Sequence, residues 1–363
     1  MTLGFHSPMP PARTGVADYS AALVGALRSA GHEVRVNADG DVDVYHAGNN
    51  PLHHSIHERA LRRPGIVVVH DAVLHHYYLG LNDEHRYLNE FVHNYGEWNR
   101  GLAQQLWRDR ARSGSDPAYF AYPMLKRVAE AARVVAVHNA GAAAMVRAHA
   151  PGVRVVEIPH LFTAPPPVDP HAVRALRHQW NLPAGAVLFG VFGHLRESKR
   201  LTTVLAATRK TGAYLLLAGD FVSNDFARSI EPELRGMARV IRVPYLSESD
   251  FWLHAHAVDV CINLRYPSAG ETSGIGIRLM GIGKPVLLTA GLETSQFPDD
   301  ACLRVDSGLA EEEMLAAYVL WLQDSPAAAR LMGVAAREHV QKVHAAARAA
   351  QELAQVASEA LGS

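Results

Sequence analysis

Only two cysteines, Cys261 and Cys302, occur in 363 residues. That is too few for a disulfide framework, and both sit in apolar strand-like runs, so each reads as a reduced core thiol. Charge of one sign is also missing. Lysine plus arginine (35) nearly equals aspartate plus glutamate (36), a formal net charge of −1, which removes the electrostatic case for nucleic acid as main partner. No uninterrupted apolar run is long enough to span a bilayer. The opening, Met1-Thr-Leu-Gly-Phe5, runs into a strand pattern without a basic stretch, apolar helix and cleavage site, so a soluble, cytoplasmic protein is expected. Low-complexity tracts and short repeats are absent too. At this length, two domains of similar size are expected.

What is there is alternation. Short apolar runs at 2–5, 33–36, 42–46, 66–69, 134–137 and 153–158 read as strands. A second series follows at 187–192, 214–218, 240–243, 258–264, 286–289 and 303–305. Helical patterns lie between them, among them 18–30 and a long stretch from His85 to Arg110. Buried strands alternating with helices mean parallel sheets covered on both faces. Pro165-Pro-Pro167 marks the domain boundary, as a semi-rigid linker over 164–172. Ala-rich helices fill 311–360. The fold class is therefore α/β, two Rossmann-like domains, with ligands expected at the carboxyl ends of strands.

Five segments carry candidate chemistry. The most informative follows the strand ending at Asn263: Gly270-Glu271-Thr272-Ser273-Gly274 opens a helix closed by Gly283-Lys-Pro285. Strand, small polar loop and helix start together point free N–H groups at one place, an anion site. Glu271 beside it can accept hydrogen bonds from sugar hydroxyls, which suggests a sugar nucleotide. In Phe192-Gly193-His194-Leu-Arg196-Glu-Ser-Lys199-Arg200, a glycine turn is followed by cations. Lys199 and Arg196 suit a diphosphate. The loop 6–19 contains Arg13, then Gly15, which allows close ligand approach at a helix start, and Tyr19 just beyond. Val69-His70-Asp71 and Val137-His138-Asn139 end strands with polar residues. His70 is suited to a sugar hydroxyl, Asp71 to orienting it or capping a helix, and Asn139 to capping. Asp41-Val-Asp43 reads as a turn at the wrong strand end for a ligand. The histidines at 53, 54, 57, 75 and 76 lack companion ligands at metal spacing, so no metal site is expected.

In sum these pieces resemble the GT-B glycosyltransferases of family 4, retaining enzymes that use nucleotide sugars. The resemblance rests on the first loop, Gly31-His-Glu-Val34, Ile158-Pro-His160, Phe192-Gly193 with Lys199, Leu217-Ala-Gly219-Asp220 and Gly283-Lys-Pro285-Val286, in that order. It implies two domains facing across a cleft, an acceptor domain over 1–163 and a donor domain over 173–345, with a C-terminal helix (346–363) crossing back to the first. It further implies Gly15 beside the donor diphosphate, Lys199, Arg196 and Gly193 on the phosphates, and Thr272, Ser273 and Gly274 completing that pocket. Tyr245 and Leu246 would pass the base, and His70 would face the sugar. Arg13, Tyr19, Asp71 and His138 would lie on the acceptor side. Two departures stand out. Gly270 and Arg278 occupy the places of the family's two glutamates, leaving Glu271 one position away, and His194 replaces an arginine; His194 and Arg278 are nonetheless expected among the donor-binding residues.

The expected function is retaining transfer of a sugar from a UDP-, GDP- or dTDP-sugar to an acceptor hydroxyl, with no metal or other cofactor required. The acceptor is a small molecule, glycan or lipid-linked sugar. A non-catalytic sugar-nucleotide-binding protein and, below it, a sugar-nucleotide epimerase are the competing readings. A dehydrogenase is disfavoured by the lack of G-x-G-x-x-G. Residues 75–122 are the least family-like. Their Trp98, Trp107, Arg108, Arg110 and Arg112 read first as a solvated helix, then as an acceptor platform or a weak peripheral membrane contact. Oligomeric state is not readable.

Overall fold

A computed structural model describes residues 1–12 and 14–362. It contains twelve strands: β1 (Thr2–His6), β2 (Glu33–Val36), β3 (Val42–Ala47), β4 (Ile66–Val69), β5 (Val134–Val137), β6 (Val155–Glu157), β7 (Leu188–Phe192), β8 (Tyr214–Ala218), β9 (Val240–Val243), β10 (Val260–Asn263), β11 (Val286–Thr289) and β12 (Cys302–Val305). They form two six-stranded sheets in the orders β2-β1-β3-β4-β5-β6 and β12-β11-β10-β7-β8-β9. Every pairing is parallel. The chain divides into two compact units: Met1–Leu161 with Pro267–Thr272 and Val343–Ser363, and Phe162–Tyr266 with Ser273–Lys342. The proline run at 165–167 thus lies inside the second unit, near its start.

Period-two alternation builds each unit's two cores. In β4, Val67 and Val69 face Tyr77, Tyr87 and Phe91, while Ile66 and Val68 face Leu23, Leu27 and Leu353 on the other side of the sheet. In the second unit, Phe189 and Val191 of β7 pack with Leu201 and Leu205, and Leu188 and Phe192 pack with Phe251, Trp252 and Met280.

The helix Ala346–Gly362 packs on Gly15–Ser29 in the first unit. It is pinned there by Arg133 Nη1 donating to Ala360 O (3.1 Å) and by the Arg154–Glu359 ion pair. The return of the last helix to the first unit is therefore a property of the chain. The helix expected over 85–110 is broken. Glu84–Tyr95 stops at Gly96, whose φ of 87° ends the helical path, and a second helix runs from Arg100 to Arg108. Trp98 is 86% exposed in the break, whereas Trp107 is buried. Among the described residues no helix is long and apolar enough to cross a membrane.

Candidate functional site

In the second sheet β7 lies beside β10, with β8 and β9 on one side and β11 and β12 on the other. Strand order reverses between β7 and β10, and such a switch point is where open α/β sheets bind ligands. The loop after β7 holds Gly193, His194, Arg196 and Lys199, and the chain after β10 leads to Ser273 and Gly274, whereas Tyr245 and Leu246 follow β9. Gly193 turns with φ +80°. Gly219, after β8, must be glycine, because a Cβ there would lie 2.3 Å from Gly193 O. Lys199 is 4% exposed and its ammonium donates to Phe192 O. A Cβ added to Gly193 would sit 3.6 Å from Lys199 Nζ and 3.7 Å from Ile275 Cγ1. The lysine, the glycine turn and the first turn of the helix Gly274–Gly281 therefore converge.

Ser273 caps that helix, its hydroxyl accepting from Gly276 N at 3.2 Å. Asn263 at the end of β10 is 4% exposed, and its Nδ2 has no hydrogen-bond partner. It lies 3.2 Å from where a Cβ on Gly276 would be. A buried cation, a helix N-terminus and an unpaired amide donor are the kinds of group that bind anions. No sequence signal marked Asn263 beyond its place at a strand end. His194 and Arg196 are exposed on the same loop. Desolvation of its ring, then the Arg196 and Lys199 cations, lower the His194 pKa. Arg200 is used elsewhere, paired with the buried Glu311 at 2.5 Å. Tyr245 is exposed beyond β9, its N–H donating to Asp220 Oδ1 (3.1 Å), and Leu246 packs against the core.

The corresponding edge of the first sheet is built of imidazoles. His6 and His46 lie in β1 and β3, His70 and His138 directly follow β4 and β5, and His160 comes shortly after β6. Tyr19, on the helix Gly15–Ser29, is 5% exposed and meets four of these rings at centroid distances of 4.9 Å (His70, His160), 5.2 Å (His138) and 5.8 Å (His46). Burial is the main cause that lowers the pKa of His46, His70 and His160 well below the usual value, and it alone pushes that of His138 down to about 4. This edge is consequently neutral at physiological pH. His46 and His160 were not singled out by sequence. A histidine at or just past the end of five strands is the signal that could have found them.

Several expected residues take other places. Arg13 lies outside the described residues. Thr14 caps the helix at Gly15, and a Cβ on Gly15 would meet nothing within 4 Å, so the backbone there is open. Asp71 caps no helix. Its carboxylate accepts from Asn49 N (3.0 Å), while the next helix begins at His75 behind Leu74. Asn139 does cap, accepting from Ala142 N at 2.7 Å, and it also donates to Gly270 O (3.0 Å) and Thr272 Oγ1 (2.9 Å). Thr272 in turn donates to His138 O at 3.2 Å. The segment 267–272 is thereby fastened to the first unit, although the strand before it and the helix after it belong to the second. Glu271 accepts from Ala269 N at 2.8 Å within this segment. Arg278 turns away from its helix start, stacked on Phe251 and Trp252 (3.9 and 4.4 Å) and paired with Glu248 at 2.5 Å. One turn into the helix, its face is that of the neighbouring helix Glu248–Ala257.

The remaining histidines of the rich stretches are packing residues, such as His57 stacked on Tyr77 (4.2 Å) and His75 donating to Tyr122 O (3.0 Å). Among the described residues one group has ligand atoms close enough for a metal ion: His6, Asp39 and Asp43. Arg59 and Arg63 already pair with its carboxylates.

No protein-family model matches the chain, and no curated protein matches it in sequence. Solved structures match over its whole length. A sucrose-phosphate synthase from Thermosynechococcus elongatus is 18% identical and superposes with a TM-score of 0.71, covering 100% of this chain and 99% of its own. Anabaena Alr3699/HepE in complex with UDP-glucose is 15% identical with a TM-score of 0.65, covering 99% and 100%. WaaG, a glycosyltransferase involved in lipopolysaccharide biosynthesis, is 13% identical with a TM-score of 0.63, covering 98% and 99%. At these identities the likeness is one of architecture, and the two parallel sheets of this chain have the GT-B fold.

Proposed function

We propose that this protein is a glycosyltransferase that moves a sugar from a nucleoside-diphosphate sugar to an acceptor hydroxyl with retention of configuration and without a metal. The observation that carries the reading is the convergence of buried Lys199, the Gly193 turn and the N-terminus of Gly274–Gly281, with the unpaired Asn263 amide beside them. A diphosphate satisfies all of these donors at once. The complexes of Alr3699/HepE with UDP and UDP-glucose support a nucleotide sugar as the ligand class.

In this reading Lys199, Arg196 and the helix N-terminus stabilise negative charge as it grows on the leaving diphosphate. Tyr245 and Leu246 flank the base. Gly15 leaves room for the phosphates. Glu271 and His70 hold sugar hydroxyls, and the acceptor approaches from the side of Tyr19, Asp71 and His138. The bond from the anomeric carbon to the phosphate oxygen breaks and one to the acceptor oxygen forms on the same face. The acceptor's proton passes to the departing phosphate, so no protein nucleophile is needed.

Calorimetry with UDP, GDP, dTDP and ADP and their sugar conjugates, in EDTA, tests this. One nucleotide should bind and its sugar conjugate should be turned over, with the anomer of the product read by proton NMR. Absence of binding by all of them would remove the diphosphate site, and an inverted product would remove the same-face mechanism.

A further inference from the structure

His46 and His70 form a hydrogen-bonded pair, Nδ1 of His46 to Nε2 of His70 at 2.9 Å, with the rings nearly stacked at 24°. Two neutral imidazoles sharing one such bond have only two arrangements. If His70 Nε2–H donates, neutral His46 must carry its own proton on Nε2. If His46 Nδ1–H donates, its Nε2 is bare and His70 carries its proton on Nδ1.

Burial decides between them. His46 is 0% exposed and its Nε2 has no partner. A proton there would be a buried orphan donor, and orphaned N–H groups are rarer than under-used acceptors. The neighbouring rings do not rescue it. Phe5 and Tyr19 are tilted at 37° and 57° to His46, not perpendicular as an N–H directed into a π face needs. Other histidines of the unit already have the arrangement a bare Nε2 requires. His53 Nδ1 lies 2.7 Å from His46 O, and His138 Nδ1 2.9 Å from Ile158 O. Carbonyl oxygens only accept, so both rings are protonated on Nδ1, and buried His53 leaves an Nε2 without a partner.

We infer that His46 is a positioning residue that locks His70 as an Nδ1–H tautomer, so that His70 offers a ligand a neutral hydrogen-bond donor and not a base. His70 makes no other side-chain hydrogen bond among the described residues, which leaves Nδ1 for that ligand. Its kinetic meaning rests on the transferase reading. His70 donates to an oxygen of the transferred sugar, and the acceptor's proton goes to the leaving phosphate and not to this imidazole.

Nitrogen-15 NMR of the unliganded, histidine-labelled protein reads the tautomer directly, because protonated and bare ring nitrogens resonate far apart. The His70 signals are identified by their loss in His70→Gln. The expected result is a protonated Nδ1 and a bare Nε2. In His46→Leu the proton should move to Nε2, and kcat should fall about tenfold with KM for the donor little changed. His46→Asn keeps an N–H near the place of Nδ1 and should restore both the tautomer and the rate. A protonated Nε2 in the wild type, or His46→Leu leaving the His70 signals in place, overturns the inference. A wild type that binds no nucleotide sugar would sink the transferase reading while the NMR result still decides the tautomer.

Discussion

The two sheets of this chain put opposite chemistry on the same topological edge. In the second unit the loops after β7 and β10 gather Lys199, Arg196 and a helix N-terminus, all positive. In the first unit the edge is a row of imidazoles that burial keeps uncharged. Parallel strands deliver residues to the carboxyl edge whatever their identity. Solvation then decides what those residues are: an edge histidine in the core is a neutral hydrogen-bonding group, whereas the cationic edge attracts anions. Fold sets the place, and burial sets the charge.

The largest effect that separates the two edges is acid sensitivity. The pKa of His138 lies at about 4 in the folded state, against 6.5 ordinarily. Its stabilising contribution is full above pH 6.5, where neither state binds the proton. Between pH 6.5 and 4 only the unfolded chain is protonated, so stability falls as pH falls, by about 3 kcal/mol for this group alone. Burial pushes His57 and His75 of the same unit down to about 3, and they add to the trend. Scanning calorimetry from pH 7 to 4 should show the first unit losing stability in this window, and His138→Gln should flatten the curve. A second unit that melts first on acidification would break the comparison.

Next is the cationic edge. Lys199→Met keeps the length of the buried stem and removes the charge. Nucleotide affinity should drop roughly 100-fold, the scale of a charge-assisted contact to phosphate. Unchanged affinity in calorimetry would mean that the second edge is not the phosphate site.

A smaller effect tests the fastening of 267–272. Asn139→Ala removes a helix cap and two contacts to that segment, and should cost about 1–2 kcal/mol in urea unfolding. Hydrogen exchange at Gly270–Thr272 should rise. Equal exchange in both proteins would show that Asn139 serves only as a cap.

The smallest concerns Gly15. A methyl group there meets nothing, so Gly15→Ala should leave stability unchanged or raise it by about 0.5 kcal/mol. Weaker donor binding in that variant would place the ligand over the helix start, while unchanged binding would place it elsewhere.

Much of the fold was legible because a buried parallel strand is a short apolar run between breakers. Ile66–Val69, Val134–Val137 and Tyr214–Ala218 coincide with the runs read from sequence. The break at Gly96 was harder to see, since a single glycine within a helical pattern is tolerated unless its φ turns positive. Lys199 and the helix start at Gly274 stood out by composition. Asn263 and His46 did not, because an Asn or His at a strand end looks the same whether its polar atoms are paired or orphaned. Arg278 shows the converse. A cation near an anion loop invites a phosphate role, but its place on the helix turns it onto Phe251 and Trp252.

By itself the sequence determined the alternation of strands and helices, the glycine turns and the identity of the groups at strand ends, because these depend on neighbours along the chain. Only the tertiary structure decided that β7 lies beside β10, that 267–272 joins the first unit, and that His6, His46, His70 and His138 are buried. Strand order and desolvation arise from contacts between residues tens to hundreds of positions apart, and local pattern holds no record of them.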